Sequence, residues 1–415
     1  MDDLRRDRLA GAGLPQLTAA PSGIVRRGAR AALAYLVALQ FLYSWAWSSS
    51  DVLRPLFRQL YSLSLAEAGS AYSAQVTGAL VGALWIGKVE HRLGRRNALA
   101  LIGIGCGLAM AAGAAVDGLA GLIAQRLLLG LFMGAVFPVT IGVIADLFPA
   151  SRRGRLASLI DGTYFAAIVV LGWAGAALMQ ADWRLLFWPI GLLFMMLGAG
   201  ARLLPIADHH GGRPGSAPRL AGLFAPALRR RTAALAAMIA VNACSHQAFS
   251  GWITVYLVEV ERVTEAAVAA TLTAQYSGAV LGCAAWGVLV DRFGRRAGGF
   301  GMAASALFCL LFLAAGPLAL KQLAVFGFGL SFAAVVTIGP WLAELYPPAL
   351  RAPATSIFQW GRFASLVAPP ISGALAAIVG LPAVMACAGA GLMLSAWVWR
   401  RLPETVPRRD LGGVR

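Results

Sequence analysis

The chain has 415 residues, 59% of them hydrophobic and 13% charged, with a formal charge of +17. A soluble protein carries about 25% charged residues, so the composition excludes an ordinary soluble enzyme. The apolar residues gather in nearly uncharged runs of roughly twenty, long enough to cross about 30 Å of hydrocarbon.

The first thirty residues are Arg-rich and punctuated by Pro and Gly, without the apolar stretch of a signal peptide. They are expected to form a tail, residues 1–30. The predicted spans then run 31–50, 66–86, 98–116, 119–147, 156–179 and 184–204. A Pro, Gly, His and Arg segment at 205–230 reads as a linker. Six more spans follow at 231–258, 265–289, 298–316, 322–345, 353–379 and 381–399, and a second tail covers 400–415. The five cysteines, Cys106, Cys244, Cys283, Cys309 and Cys387, fall inside these runs. Their spacing suits neither metal nor a disulfide framework, and they read as small buried hydrophobes.

The charge is unevenly placed. Of the 35 Lys and Arg, 28 lie in the tails, in alternate loops or beside them; the rest are Arg54, Arg58, Arg126, Arg184, Arg262, Lys321 and Arg362. The basic side of a membrane protein faces the cytoplasm, so both termini are expected there. The same loops attract anionic lipid head groups rather than nucleic acid.

The chain repeats itself. Residues 74–96 (AQVTGALVGALWIGKVEHRLGRR) align without a gap with 274–296 (AQYSGAVLGCAAWGVLVDRFGRR). Asp146–Gly154 (DLFPASRRG) aligns with Glu344–Ala352 (ELYPPALRA) at nearly the same offset: an acid, a Pro three later, and Arg153 or Arg351 seven later. Two matches of this kind point to six-helix halves, 31–204 and 231–399. Six spans separate the copies, so both enter the membrane in the same sense and form parallel repeats.

At these residues the chain resembles the major facilitator superfamily, whose signature between the second and third helices runs G-x-x-x-D-R-x-G-R-R. The second copy is complete in Gly287, Asp291, Arg292, Gly294, Arg295 and Arg296. The first keeps Gly87, Arg92, Gly94, Arg95 and Arg96, but His91 takes the Asp position and Glu90 precedes it. The resemblance implies an all-α fold of twelve transmembrane helices in two parallel repeats. It also implies a charge network at the cytoplasmic gate, with Asp146 and Glu344 as the partners of the Arg pairs and Gly allowing close helix approach. Three stretches, Phe137–Arg155, Asp182–Phe187 and Tyr346–Pro370, are similar to proton-linked metabolite symporters, notably those of aromatic acids. The first span departs from that group, since it holds no acid from Ala31 to Ser50.

Ionisable groups inside spans are candidate functional groups. Arg126 fits proton coupling or anion binding, or an Arg that snorkels or pairs structurally. Arg362 lies near mid-depth, where snorkelling is hard. Asp161 is the one carboxylate clearly within a span, a proton carrier or a static partner for an Arg. His246 sits among polar neighbours in NACSHQAFS. Gln75 and Gln275 recur in both halves and suit cargo recognition or helix–helix bonding. Tyr43, Trp45, Trp47, Trp252 and Tyr256 can wall an aromatic pocket or serve packing.

No phosphate loop, metal cluster or nucleophile set is evident, so neither an enzyme nor an ATP-driven pump is expected. The reading is a monomeric secondary transporter of a bacterial inner membrane, without cofactor and driven by protons. A small organic anion is the expected cargo. A proton-coupled exporter and a transport-dead sensor or assembly factor are the rivals.

Overall fold

The computed structural model describes residues 23–148, 150–204, 220–347, 350, 351, 354 and 356–405. Most of the expected tails, and the linker up to Arg219, lie outside the described residues. So do the side chains of His91, Asp146, Arg153, Asp161 and Arg362, and Gly87 as a packing position.

Twelve long helices and no strand occur among the described residues. They are α1 Gly23–Val52, α2 Leu65–Leu93, α3 Arg95–Ala112, α4 Leu119–Leu147, α5 Ala150–Asp182 and α6 Trp188–Gly200 in the first half. The second half holds α7 Arg229–Phe249, α8 Glu265–Phe293, α9 Gly298–Ala314, α10 Leu318–Phe332, α11 Ile357–Val379 and α12 Leu381–Arg401. α1 starts within the expected first tail, at Gly23. α10 tightens to a 3-10 turn at Ala333–Thr337 before continuing as Ile338–Leu345. Pro340 explains the break, because it lacks an N–H and its ring crowds the carbonyl four residues back.

Among the described residues, seven helices are long and apolar enough to cross a membrane on those grounds alone. α2 packs against α11 and α5 against α8, which makes these four the seam between the halves. Helices on a seam keep polar side chains that lipid would reject. The outer helices α6, α9 and α12 instead expose Trp188, Met196, Phe300, Leu307, Met393 and Trp397, as lipid-facing surfaces do.

Each packing pair has a counterpart. α2 lies on α4 as α8 lies on α10, α3 on α6 as α9 on α12, and α1 on α5 as α7 on α11. Small residues set the closest of these approaches. A Cβ on Gly130 would collide with the Gln75 carbonyl, and one on Gly329 with that of Gln275. The signature glycines Gly94 and Gly294 do a different job. Their φ values of 78° and 92° lie in the left-handed region, where a side chain is strained, and they turn the chain sharply from α2 to α3 and from α8 to α9. Gly287 corrects one expectation. A Cβ there would meet nothing within 4 Å, so this signature glycine makes no close helix approach in this arrangement.

Candidate functional site

Arg126 is fully buried on α4. Its Nη1 donates to Ser49 Oγ at 3.0 Å, to Gln75 Oε1 at 3.3 Å and to the Ala46 carbonyl at 3.4 Å. The guanidinium therefore turns inward, toward α1 and α2, and does not snorkel. Its Nε and Nη2 have no partner. Gln75 is oriented in turn by the Trp47 carbonyl at 3.5 Å.

The second half repeats the amide and drops the cation. The matching glycines Gly130 and Gly329 place Val325 where the first half has Arg126. Gln275 Nε2 accordingly donates to Ser250 Oγ at 2.5 Å, and its Oε1 is unpartnered. His246 on α7 lies tilted against Phe332, with ring centroids 4.9 Å apart. Asn242, one turn earlier, is buried with neither side-chain atom bonded.

Rings from both halves meet at the seam. Tyr43 stacks on Trp47 at 5.8 Å, and Trp47 meets the edge of Tyr72 at 6.0 Å. Across the seam, Phe165 of α5 lies 6.4 Å from Tyr276 of α8 and 5.4 Å from Tyr164. The Tyr164 side chain lies near Ser48 and within electrostatic reach of Tyr43, Tyr72 and Tyr276. Sequence reading named Tyr43 and Trp47 and missed Tyr72, Tyr164, Phe165 and Tyr276 as cargo candidates. Tyr72 lies one turn from Gln75, and Tyr276 directly follows Gln275, which was the available signal.

Trp252 and Tyr256 lie elsewhere. Trp252 Nε1 donates to Ser372 Oγ at 2.8 Å, beneath the Arg54 guanidinium at 4.7 Å. The Tyr256 hydroxyl donates to Glu261 Oε1 at 2.6 Å, beside the buried Lys321, whose Nζ reaches Glu261 at 3.0 Å. Burial raises the Glu261 carboxyl, but the hydrogen bonds from Tyr256 and Lys321 win, and it sits below the usual range. Asp161 and Arg362 are placed only by backbone, on α5 and α11.

The halves are tied together at the end away from the termini. Arg54, held by Asp51 at 2.5 Å, donates to the Gly251 carbonyl, and Thr254 Oγ1 donates to the Asp51 carbonyl at 2.8 Å. Arg58 pairs with Glu259, and Ser73 donates to the Leu366 carbonyl. Gly69 abuts Pro369, and Gly373 abuts Leu65. None of these charged groups was a sequence candidate, because each looks like an isolated loop charge until the other half is in place.

At the opposite end the signature loops hold their own half. Arg295 grips Glu344 with two nitrogens, at 2.7 and 3.1 Å, and Asp291 with a third at 2.8 Å. In the first half Arg95 Nε reaches Glu90 Oε1 at 2.5 Å, so the acid one place early takes up the Arg. Arg92 and Arg351 are exposed, and Arg292 stacks on Phe293. Glu404 accepts from the backbone N–H groups of Arg295 and Arg296, at 2.8 and 3.0 Å, and Arg296 Nε donates to the Leu402 carbonyl at 2.7 Å. The segment after α12 is thereby latched to the second signature.

Comparison with known proteins agrees with this architecture. A profile of the Major Facilitator Superfamily matches residues 36–360 and 262–415. The 3-(3-hydroxy-phenyl)propionate transporter of Escherichia coli (strain K12) is 30% identical over 244 residues, 56% of this chain and 58% of that protein. The niacin transporter NiaP of Acinetobacter baylyi is 32% identical over 120 residues, 29% of this chain and 26% of that protein. The multidrug efflux pump LfrA of Mycolicibacterium smegmatis is 32% identical over 137 residues, 32% of this chain and 27% of that protein. The matched stretches thus span less than two thirds of these relatives. Among solved structures, a point mutant of the nucleoside transporter NupG superposes with a TM-score of 0.77 at 13% identity, covering 89% of this chain and 99% of its own. A bacterial homologue of the lysosomal transporter Spinster gives 0.73 at 16% identity, covering 91% and 97%. These relatives and structural neighbours are transporters and not enzymes. With two parallel six-helix repeats, paired signature loops and a profile match along its length, the chain belongs to the Major Facilitator Superfamily.

Proposed function

We propose that this protein carries a small organic anion with a planar ring body across a bacterial inner membrane, together with protons, by alternating access. The observation that carries the reading is the ring cluster of Tyr43, Trp47, Tyr72, Tyr164, Phe165 and Tyr276, contributed by both halves at their seam. A cargo held there touches both halves at once, and its contacts change as they rock. The relative that transports 3-(3-hydroxy-phenyl)propionate supports a ring-bearing carboxylate as the cargo class.

Charge supports an anion. Arg126 is buried on one side, and on the other Arg362 occupies the position that mirrors Tyr164 at the repeat offset of 198. Asp161, one turn before Tyr164, and His246 are the proton candidates on this reading. The basic loops support cytoplasmic termini, and on that reading the tied end faces outward and the described contacts belong to an outward-closed state. The protein works as a monomer with lipid around it, and the proton gradient supplies the energy in place of a cofactor.

The test is uptake into proteoliposomes under an imposed pH gradient, with 3-phenylpropionate and benzoate as probes. Uptake that alkalinises the outside medium, and is lost in Arg362→Ala with insertion intact, supports the reading. Exchange of lipophilic cations for protons without carboxylate uptake replaces it with the exporter reading, which the likeness to LfrA favours.

A further inference from the structure

A small cavity lies at the tied end, where the short helix Arg54–Leu60 meets α1, α2 and α4. It measures about 10 Å³, room for the centre of about one water-sized particle. Ser50, Arg54, Phe57, Ala71, Leu122 and Arg126 are among its walls. No ring of the seam cluster lines it.

Two guanidiniums share this cavity, and both keep donors unused. Arg54 is 2% exposed and its Nε is unpartnered; Arg126 is 0% exposed and lacks partners on Nε and Nη2. Asp51 is the carboxylate that acts on both, and its ion pair goes to Arg54 at 2.5 Å. The two cations also repel each other. Two positive groups and one negative leave a net positive charge in a pocket otherwise walled by carbon and one hydroxyl. A buried, unpaired charge of this kind is costly, and water satisfies its N–H groups without cancelling its charge.

We propose that a compact monovalent anion of halide size binds between Arg54 and Arg126. Phe57, Ala71 and Leu122 leave no room for the body of an organic acid, so this site shares Arg126 with the charge invoked for cargo but lies apart from the ring cluster. Arg54 also donates to the Gly251 carbonyl of the other half. Anion held on Arg54 therefore favours the state in which the halves are tied, and by linkage the tied state binds anion more tightly.

The test uses the purified full chain without any gradient, so it stands or fails separately from transport. Sodium gluconate is exchanged for chloride or bromide at constant ionic strength while thermal unfolding is followed. Chloride and bromide are expected to raise Tm by about 2–4 °C in a saturable way, with gluconate inert. Ala71→Leu fills the cavity but keeps both arginines, and is expected to weaken the halide response at least tenfold; Arg54→Gln should do the same. A linear response common to all salts, or a saturable one unchanged in Ala71→Leu, overturns the site. Stabilisation by benzoate or acetate that halides fail to reproduce also overturns it, and assigns the arginines to a cargo carboxylate. If Ala71→Leu does not fold, the wild-type anion series decides.

Discussion

Arg54 and Thr254 stand 200 residues apart and make one contact in mirror image: Arg54 reaches the Gly251 carbonyl, and Thr254 reaches the Asp51 carbonyl at 2.8 Å. Asp51 and Gly251 are themselves 200 apart. Across the midline, the repeat is thus a bond exchanged between equivalent positions.

Loosening this exchange should favour the state open at the tied end. Each buried hydrogen bond from a charged group contributes about 1.5–3 kcal/mol and one from a neutral group about 0.5–1.5 kcal/mol. Arg54→Ala should therefore shift the population roughly tenfold or more, and Thr254→Val by less. Spin labels at Gln59 and Val263 would report the change as a longer distance component. Unchanged distances in both variants would show that Gly69–Pro369 and Gly373–Leu65 packing alone holds the end.

The pair of Arg58 and Glu259 is partly exposed, so its share is small, about 0.2–1 kcal/mol. Arg58→Glu should lengthen the same distance modestly, and the effect should fade at high salt. Combining it with Glu259→Arg should restore the wild-type distribution. Failure of the double swap to restore it would argue that the pair does not couple the halves.

Glu261 sets a pH dependence. Its folded value lies below the ordinary 4.5, so its contribution is present above that pH and is lost as pH falls through the lower folded value. Stability of the wild type should drop on acidification in that window, and Glu261→Gln should flatten that part of the profile. Lys321→Met should cost about 1–3 kcal/mol at neutral pH, since Tyr256 and Glu261 lose their buried partner. Thermal unfolding across pH 3–7 measures both.

The latch after α12 should be visible in hydrogen exchange. Glu404→Ala removes acceptors from the N–H groups of Arg295 and Arg296, so those two amides should exchange faster while the α3 loop is unaffected. Gly294→Ala should be worse, by about 1–3 kcal/mol, because its backbone is left-handed and a Cβ there runs into the Glu404 carboxylate.

Close helix approach predicts a contrast between glycines. Gly130→Ala and Gly329→Ala each force a methyl group onto a backbone carbonyl and should cost about 1–3 kcal/mol or more. Gly162→Ala on α5, where a Cβ meets nothing within 4 Å, should leave thermal stability and yield unchanged.

Much of this protein is written in one dimension. Spans of about twenty apolar residues, basic loops in alternation, and two copies of a signature at an offset of 200 identify twelve helices and two halves, because a bilayer imposes length and charge rules that act on each segment alone. Gln75, Gln275 and Arg126 were legible for the same reason, as polar groups where lipid forbids them. Other parts exist only in three dimensions. Arg58 looks like a loop charge until Glu259 arrives from the other half. Tyr72, Tyr164, Phe165 and Tyr276 are ordinary helix residues until three helices bring them to one seam. Arg126 and Arg54 become a two-cation pocket only when α1, the short helix Arg54–Leu60, α2 and α4 close around it. Local rules select helices one at a time, whereas contacts between residues 200 apart depend on how whole halves pack, and no local pattern encodes that packing.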